Sequence, residues 1–112
     1  MGKASRDKGK RGQVAFRTLL GERDWTVVEL QSGDDTEDLF AVSPDGINYA
    51  VEVKHTKTIY IDRFLAQAKE QAARRKTKWM LACRWQGERS WIVLCQGKAL
   101  QIWHERQEVE NV

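Results

Sequence analysis

The sequence has few cysteines and histidines and no long apolar run. It contains two cysteines and two histidines among 112 residues. Cys83 and Cys95 stand in apolar surroundings without the spacing of a metal motif, which favours reduced core cysteines of a cytosolic protein over a disulfide. No apolar run approaches the ~20 residues that a membrane span needs, and no signal peptide is visible. We therefore expect a cytoplasmic protein that does not cross a membrane.

The chain also lacks internal repeats and low-complexity linkers. A length of 112 residues indicates one domain. The content of 41% hydrophobic and 31% charged residues is typical of a soluble globular protein. We expect one domain over residues 1–112, with a mobile basic arm at 1–8 and a frayed tail at 105–112.

The net charge of +3 conceals a separation of charge along the chain. Residues 1–23 hold seven Lys and Arg against two acids, and residues 55–89 hold nine against three. Residues 24–54 between them hold one against eight. An acidic block between two basic blocks suits a metal site inside a phosphate-binding groove, whereas a general nucleic-acid coat would not need the acidic centre.

The acidic block predicts two antiparallel strands joined by a tight turn. Pro44-Asp45-Gly46 has the residue types of a three-residue turn, in which Ser43 pairs with Ile47. Pairing outward from that turn places Asp38 directly opposite Glu52. The apolar residues of the second strand then point to the other face, toward a core: Ile47, Tyr49, Val51 and Val53.

Lys54 shares the face of Asp38 and Glu52, because it lies two residues beyond Glu52. Two carboxylates in contact repel each other, and a divalent cation removes that conflict. Hard oxygen ligands at this spacing suit Mg²⁺ or Mn²⁺, and Lys54 could polarise an attacking water or stabilise a charged phosphate. The alternative is a surface cross-strand cluster in which Lys54 simply offsets Glu52.

The rest of the chain predicts helices and strands around this hairpin. A stripe that includes Phe16, Leu19 and Leu20 predicts the first helix, and a stripe that includes Phe64 and Ala68 predicts the second, with Asp62 as its N-cap. The predicted elements are a helix over 10–21, strands over 25–30, 38–43 and 47–54, a helix over 63–75, strands over 79–85 and 91–95, and a possible short strand over 100–103.

Asp38, followed fourteen residues later by Glu52-Val53-Lys54, resembles the D…(D/E)-x-K motif of the PD-(D/E)XK nuclease superfamily. Residues 5–12 (SRDKGKRG) are similar to the basic start of archaeal-type and phage Holliday junction resolvases. Ser32-Gly33 with Asp38-Leu39 resembles their S-G…D-(I/L) segment, and Tyr60-Ile61 also fits. The resemblance covers most of residues 5–95.

The resemblance implies a restriction-endonuclease-like α/β sandwich, with a mixed central sheet flanked by helices in the order αβββαββ. It implies that Mg²⁺, for which Mn²⁺ can substitute, is bound by Asp38, Glu52 and the backbone carbonyl of Val53. Lys54 would orient or activate the attacking water. The cut would leave 5′-phosphate and 3′-hydroxyl ends.

One position departs from the family pattern. The first helix usually carries a glutamate where this chain has Gln13. A glutamine amide oxygen can bind a metal or metal-bound water, but it brings no charge. The departure leaves three interpretations open: a weaker metal site, an impaired enzyme, or an altered enzyme.

Several further residues are candidates for DNA contact. The basic arm could instead be a solvated segment that does not contact DNA. Arg74, Arg75 and Lys76 could instead complement the dipole at the C-terminus of their helix. Ser32 would help place substrate, and Gln67 could point to the site or be a plain surface residue. The full set of predicted DNA-binding residues is Lys3, Arg6, Lys8, Lys10, Arg11, Ser32, His55, Lys57, Gln67, Arg74, Arg75 and Lys76.

The predicted function is a Mg²⁺-dependent DNA endonuclease that resolves four-way junctions. The resemblance implies a homodimer, whose two-fold symmetry matches the junction, and Trp79, Trp85 or residues 59–61 would supply its apolar surface. If the protein is phage-encoded, it would act in the host cytoplasm. Two alternatives stay open: a branch-specific, nicking or restriction-like nuclease of the same superfamily, and a non-catalytic DNA-binding module.

Overall fold

The computed structural model describes residues 3–29 and 39–105, and of residues 3–10 and 29 it describes the backbone alone. This part of the chain forms two helices and six strands. In chain order they are α1 (Lys3–Glu22), β1 (Thr26–Glu29), β2 (Leu39–Val42), β3 (Asn48–Thr56), α2 (Ile61–Arg75), β4 (Lys78–Trp85), β5 (Ser90–Cys95) and β6 (Gln101–His104).

The six strands form one mixed sheet in the order β1-β2-β3-β4-β5-β6. β3 and β4 are parallel, and the other neighbouring pairs are antiparallel. Parallel neighbours require a crossover, and α2 provides it. The prediction of a mixed α/β fold is confirmed at this level.

The two helices pack against opposite faces of the sheet and bury two separate clusters. On the α1 face, Phe16 lies 5.0 Å from the ring of Trp91 and 5.7 Å from that of Trp103, measured between ring centroids. The predicted apolar row of β3 lies on this face. On the α2 face, the buried residues are Phe64, Ala68, Leu81 and Cys83.

Two predicted boundaries are wrong. α1 begins at Lys3 rather than at residue 10, so residues 3–8 of the predicted arm are helical; Lys, Arg and Ala are good helix formers, and no proline interrupts them. β3 continues to Thr56, so His55 lies within the strand rather than in a connection. The possible last strand does form, as β6, and the order becomes αβββαβββ.

The N-cap predicted at Asp62 is also wrong. α2 begins at Ile61, its N-cap is Tyr60, and no side chain caps it. Asp62 instead lies in the first turn, where a carboxylate complements the positive end of the helix dipole.

The end of the described chain is held by side-chain contacts. Glu105, predicted to begin the frayed tail, forms an ion pair with Arg84 and accepts a hydrogen bond from Trp91 Nε1 at 2.9 Å. Residues 106–112 lie outside the described part. Cys83 and Cys95 are free and buried, as predicted. Neither described helix is long and apolar enough to cross a membrane.

Candidate active site

The turn between β2 and β3 forms as predicted. The amide of Ser43 donates to the carbonyl of Ile47 at 2.9 Å, and the amide of Gly46 donates to the carbonyl of Ser43 at 2.8 Å. Gly46 has φ +87°, a conformation that glycine adopts without steric cost. A hydrogen bond from the hydroxyl of Ser43 lowers the pKa of Asp45 below its ordinary value. These local contacts set the pairing of the two strands.

The pairing of β2 with β3 has the predicted register. Leu39 lies opposite Val51, and Phe40 lies opposite Ala50. This is the register from which the pairing of Asp38 with Glu52 was predicted. Asp38 itself lies outside the described residues, as does Ser32, so their positions stay predictions.

Glu52 and Lys54 lie together on the α2 face of β3. Lys54 Nζ is 3.3 Å from Glu52 Oε2, and the two side chains are 24% and 13% exposed. Lys54 Nζ also lies 5.0 Å from the centroid of the Phe64 ring. A cation over an aromatic face is stabilised by the ring quadrupole. The positive charge of Lys54 therefore does balance the negative charge of Glu52. The pair is largely buried, however, and not a solvated surface cluster.

The surroundings of this pair are of low polarity. Lys54 is aligned with Cys83 on the parallel strand β4. Burial raises the pKa of the Cys83 thiol to about 12, with Lys54 opposing the shift and Glu52 adding to it. Charges beside such an apolar layer interact more strongly than charges in water.

A metal site is not complete among the described residues. Within residues 3–29 and 39–105, no three His, Cys, Asp or Glu residues come close enough to hold a metal ion. The predicted donors found there are the carboxylate of Glu52 and the carbonyl of Val53. Both are hard oxygen donors that suit Mg²⁺, and a second carboxylate requires Asp38. The side chain of Val53 packs into the core on the α1 face.

α1 crosses the end of β3 on the opposite face. Gly12 lies against His55, where an added Cβ would be 2.6 Å from the Cβ of His55. Gln13, the next residue, is half-buried. α1 and the Glu52–Lys54 pair lie on opposite faces of the sheet, which does not favour Gln13 as a metal ligand beside the pair. Its role stays a prediction.

The predicted DNA-binding residues fall at two ends of the sheet. Arg11, one residue before Gly12, and Lys57, directly after β3, lie at the end nearer Lys54, and both are exposed. α2 runs back along the sheet, so its last turn is about 15 Å from Phe64. That last turn carries Arg74 and Arg75, and Lys76 is the C-cap. Lys3, Arg6, Lys8 and Lys10 lie on the first turns of α1.

Two of the predicted DNA-binding residues lie on the exposed side of α2. Arg74 lies 3.8 Å from Glu70 in an exposed pair one turn apart. Gln67 is exposed on the same helix. Neither observation tests contact with DNA.

Sequence reasoning missed the partner that lies over Lys54. The helical stripe predicted that Phe64 is a core residue, which is confirmed. The contact between Phe64 and Lys54 depends on the crossover from β3 to α2, for which the sequence pattern carries no signal. Trp79 and Trp85, treated alike from the sequence, also differ: Trp79 packs against the α2 cluster, and Trp85 is 44% exposed.

Comparison of the chain with protein-family models, with curated proteins and with solved structures finds no match.

Proposed function

We propose that the protein is a metal-dependent DNA endonuclease of the PD-(D/E)XK type, and specifically a resolvase of four-way junctions. The observation that carries the proposal is the Glu52–Lys54 pair, held on one face of a central strand over an apolar layer. The register of β2 supports it, because it is the one predicted to bring Asp38 to Glu52. A helix on each face of a mixed sheet is compatible with a restriction-endonuclease-like fold.

Asp38, Glu52 and the carbonyl of Val53 would hold Mg²⁺. The ion would supply charge neutralisation at the phosphate and a more acidic bound water. Lys54 would orient the attacking water and donate a hydrogen bond to the phosphate oxygens on which negative charge develops. Its Nζ lies beside the carboxylate of Glu52 and over the ring of Phe64, next to the position where the ion would bind.

Basic residues would guide DNA to this site. Arg11 and Lys57 lie at the end of β3 nearest the pair, and Lys3, Arg6, Lys8 and Lys10 precede Arg11 on the same helix. Phosphate contacts of this kind supply affinity independent of sequence.

The homodimer is part of the proposal. Tyr60 and Ile61, 50% and 40% exposed, would supply its apolar surface, whereas Trp79 is half-buried against the α2 cluster.

Cleavage of a labelled four-way junction, beside a linear duplex of the same arms, tests this function. The reactions would contain Mg²⁺, Mn²⁺ or EDTA. We expect paired, symmetric, metal-dependent cuts in the junction and none in the duplex. Lys54→Ala should abolish the cuts, and Lys57→Ala should weaken binding while leaving the metal dependence unchanged. Equal cleavage of both DNAs would identify a less selective nuclease of the same type.

A non-catalytic DNA-binding module is the second candidate. It is favoured by the direct contact between Lys54 and Glu52, since a lysine that occupies a carboxylate competes with a metal for it. Under this alternative the junction is bound but not cut with either metal, and Lys54→Ala leaves binding unchanged.

A further inference from the structure

Trp85 is the most exposed tryptophan of the described chain and lies near the proposed active site. It is the last residue of β4 and is aligned with Thr56 of β3, two residues beyond the alignment of Cys83 with Lys54. Side chains two residues apart on a strand share a face, so Trp85 is on the face of Lys54 and Glu52. From the strand spacing and the rise per residue, the Cα atoms of Lys54 and Trp85 are about 8 Å apart.

The exposure of Trp85 is unusual within this fold. Trp91 and Trp103 are 0% and 4% exposed, and Trp25 and Trp79 are half-buried, whereas Trp85 is 44% exposed. Among the described residues, Trp85 makes no aromatic or cation–π contact. The strand fixes one end of the side chain, and part of the indole surface is left open to a ligand.

Polar side chains flank the ring along the sheet. Thr56 is aligned with it on β3. In the register of β4 with β5, Cys83 lies opposite Ile92. Extending that register by two residues would place Ser90 beside Trp85 on the other side. Ser90 Oγ lies 2.8 Å from His104 Nδ1. Thr56 Oγ1 donates to the carbonyl of Thr58 at 2.7 Å. Both hydroxyls therefore have a partner within the protein, and each oxygen keeps acceptor capacity that a base edge can use.

The charge near Trp85 favours an anionic ligand. Lys57 follows Thr56, and Arg89 precedes Ser90; both are exposed. Glu88 is the acid of the same loop, so the loop and Lys57 together carry a net positive charge. Stacking of a base on an aromatic ring contributes about 1–3 kcal/mol and tolerates any base, because every base has an aromatic face.

From these observations we propose that Trp85 stacks against an unpaired DNA base beside the phosphate bound at Lys54. The proposal rests on the proposed function, and it identifies the substrate feature that the site recognises: a base with a free face, which has left the duplex at a bulge or has lost a stacking neighbour where the arms of a branch meet. Paired bases in a continuous duplex are stacked on one another and do not offer a free face. Trp85 would therefore distinguish branched DNA from linear DNA.

The test compares two bulged duplexes that carry the same phosphates. One has a single unpaired nucleotide at its centre, and the other has an abasic residue at that position. Binding would be measured in EDTA with the full chain, and 2-aminopurine at the bulge would report stacking by its fluorescence. We expect the wild type to bind the base-bearing bulge about tenfold more tightly. Trp85→Ala should reduce this preference to within about twofold, and Trp85→Phe should retain part of it.

Ile102→Ala is the matched control, since Ile102 is 48% exposed on the same sheet and lies on the edge strand β6. An unchanged base preference in Trp85→Ala, or an equal loss in Ile102→Ala, would overturn the proposal. A lower sedimentation mass for Trp85→Ala would also overturn it, because Trp85 would then pack against a second copy of the chain.

Failure of this proposal is distinguishable from failure of the proposed function. Binding in EDTA does not depend on cleavage. If no DNA is cut with any metal but the base preference depends on Trp85, the base site stands and the nuclease fails. If junctions are cut and Lys54→Ala abolishes the cuts, but Trp85→Ala has no effect on base preference, the nuclease stands and the base site fails.

Discussion

Gly12 of α1 lies so close to His55 of β3 that a Cβ at position 12 would be 2.6 Å from the Cβ of His55. Two carbon atoms do not approach that closely without bonding, so the helix and the strand meet through the bare backbone of a glycine. This contact places the N-terminal half of α1 at the end of β3 that carries Lys54.

Gly12→Ala should therefore destabilise the protein. The added methyl group forces α1 away from β3, and overpacking of this kind costs about 1–3 kcal/mol. Gly21→Ala is the matched control, because Gly21 is in the same helix with open space around it; there alanine should stabilise by up to about 1 kcal/mol. Urea denaturation measures both. Equal effects of the two substitutions would contradict the close contact.

The Glu52–Lys54 pair should show energetic coupling. A double-mutant cycle with Glu52→Gln and Lys54→Met should give a coupling of about 0.5–2 kcal/mol, because both side chains are largely covered. The exposed pair Glu70–Arg74, at 3.8 Å, is the control and should give about 0.5 kcal/mol or less. Unfolding free energies of the four variants of each cycle supply the measurement. A smaller coupling for Glu52–Lys54 than for the control would show that the two charges are not held together.

Under the proposed function, Gln13→Glu should tighten binding of Mg²⁺ and raise cleavage at low Mg²⁺, because it adds a carboxylate at the position where the nucleases that the sequence resembles carry a glutamate. Val14→Glu places the same charge one residue along α1, at a position that is 44% exposed, and should leave the affinity unchanged. Metal titration followed by calorimetry compares the two. An unchanged titration for Gln13→Glu removes Gln13 from the site, and an equal gain in both variants indicates a general effect of charge.

The buried thiols should make the protein less stable at alkaline pH. Burial raises the pKa of Cys83 to about 12 and that of Cys95 to about 11, from the ordinary value of 9.0. Above about pH 9 the unfolded chain loses thiol protons that the folded chain keeps, so the free energy of unfolding falls as pH rises. The contribution is fully present below about pH 9 and is lost as pH rises toward about 11–12.

Cys83→Ala isolates one of these contributions. Its unfolding free energy should fall less steeply with pH between about pH 9 and pH 11, by up to about 1.4 kcal/mol per pH unit. Urea denaturation over that range measures the slope, which is separate from any loss of packing at a single pH. A slope identical to that of the wild type would show that Cys83 titrates alike in both states.

The β2–β3 hairpin could be read from the sequence because its interactions are local. Pro44, Asp45 and Gly46 define the turn by their own backbone preferences, and the side chains of a strand alternate with a period of two. Together these determined the register and the face of Glu52 and Lys54, without reference to the rest of the chain. The helical stripe with Phe64 followed in the same way from periodicity alone.

Tertiary structure decided what lies around that face. The crossover through α2 sets Phe64 over Lys54, and the approach of α1 sets Gly12 over His55. The same packing leaves Trp85 exposed and half-buries Trp79 against the α2 cluster. Each of these contacts joins residues that are distant in sequence or on different elements, and local preferences carry no information about how separate elements meet. The placement of Glu52 and Lys54 on one face is thus determined by one hairpin. Their environment is determined only when the two helices pack against the sheet.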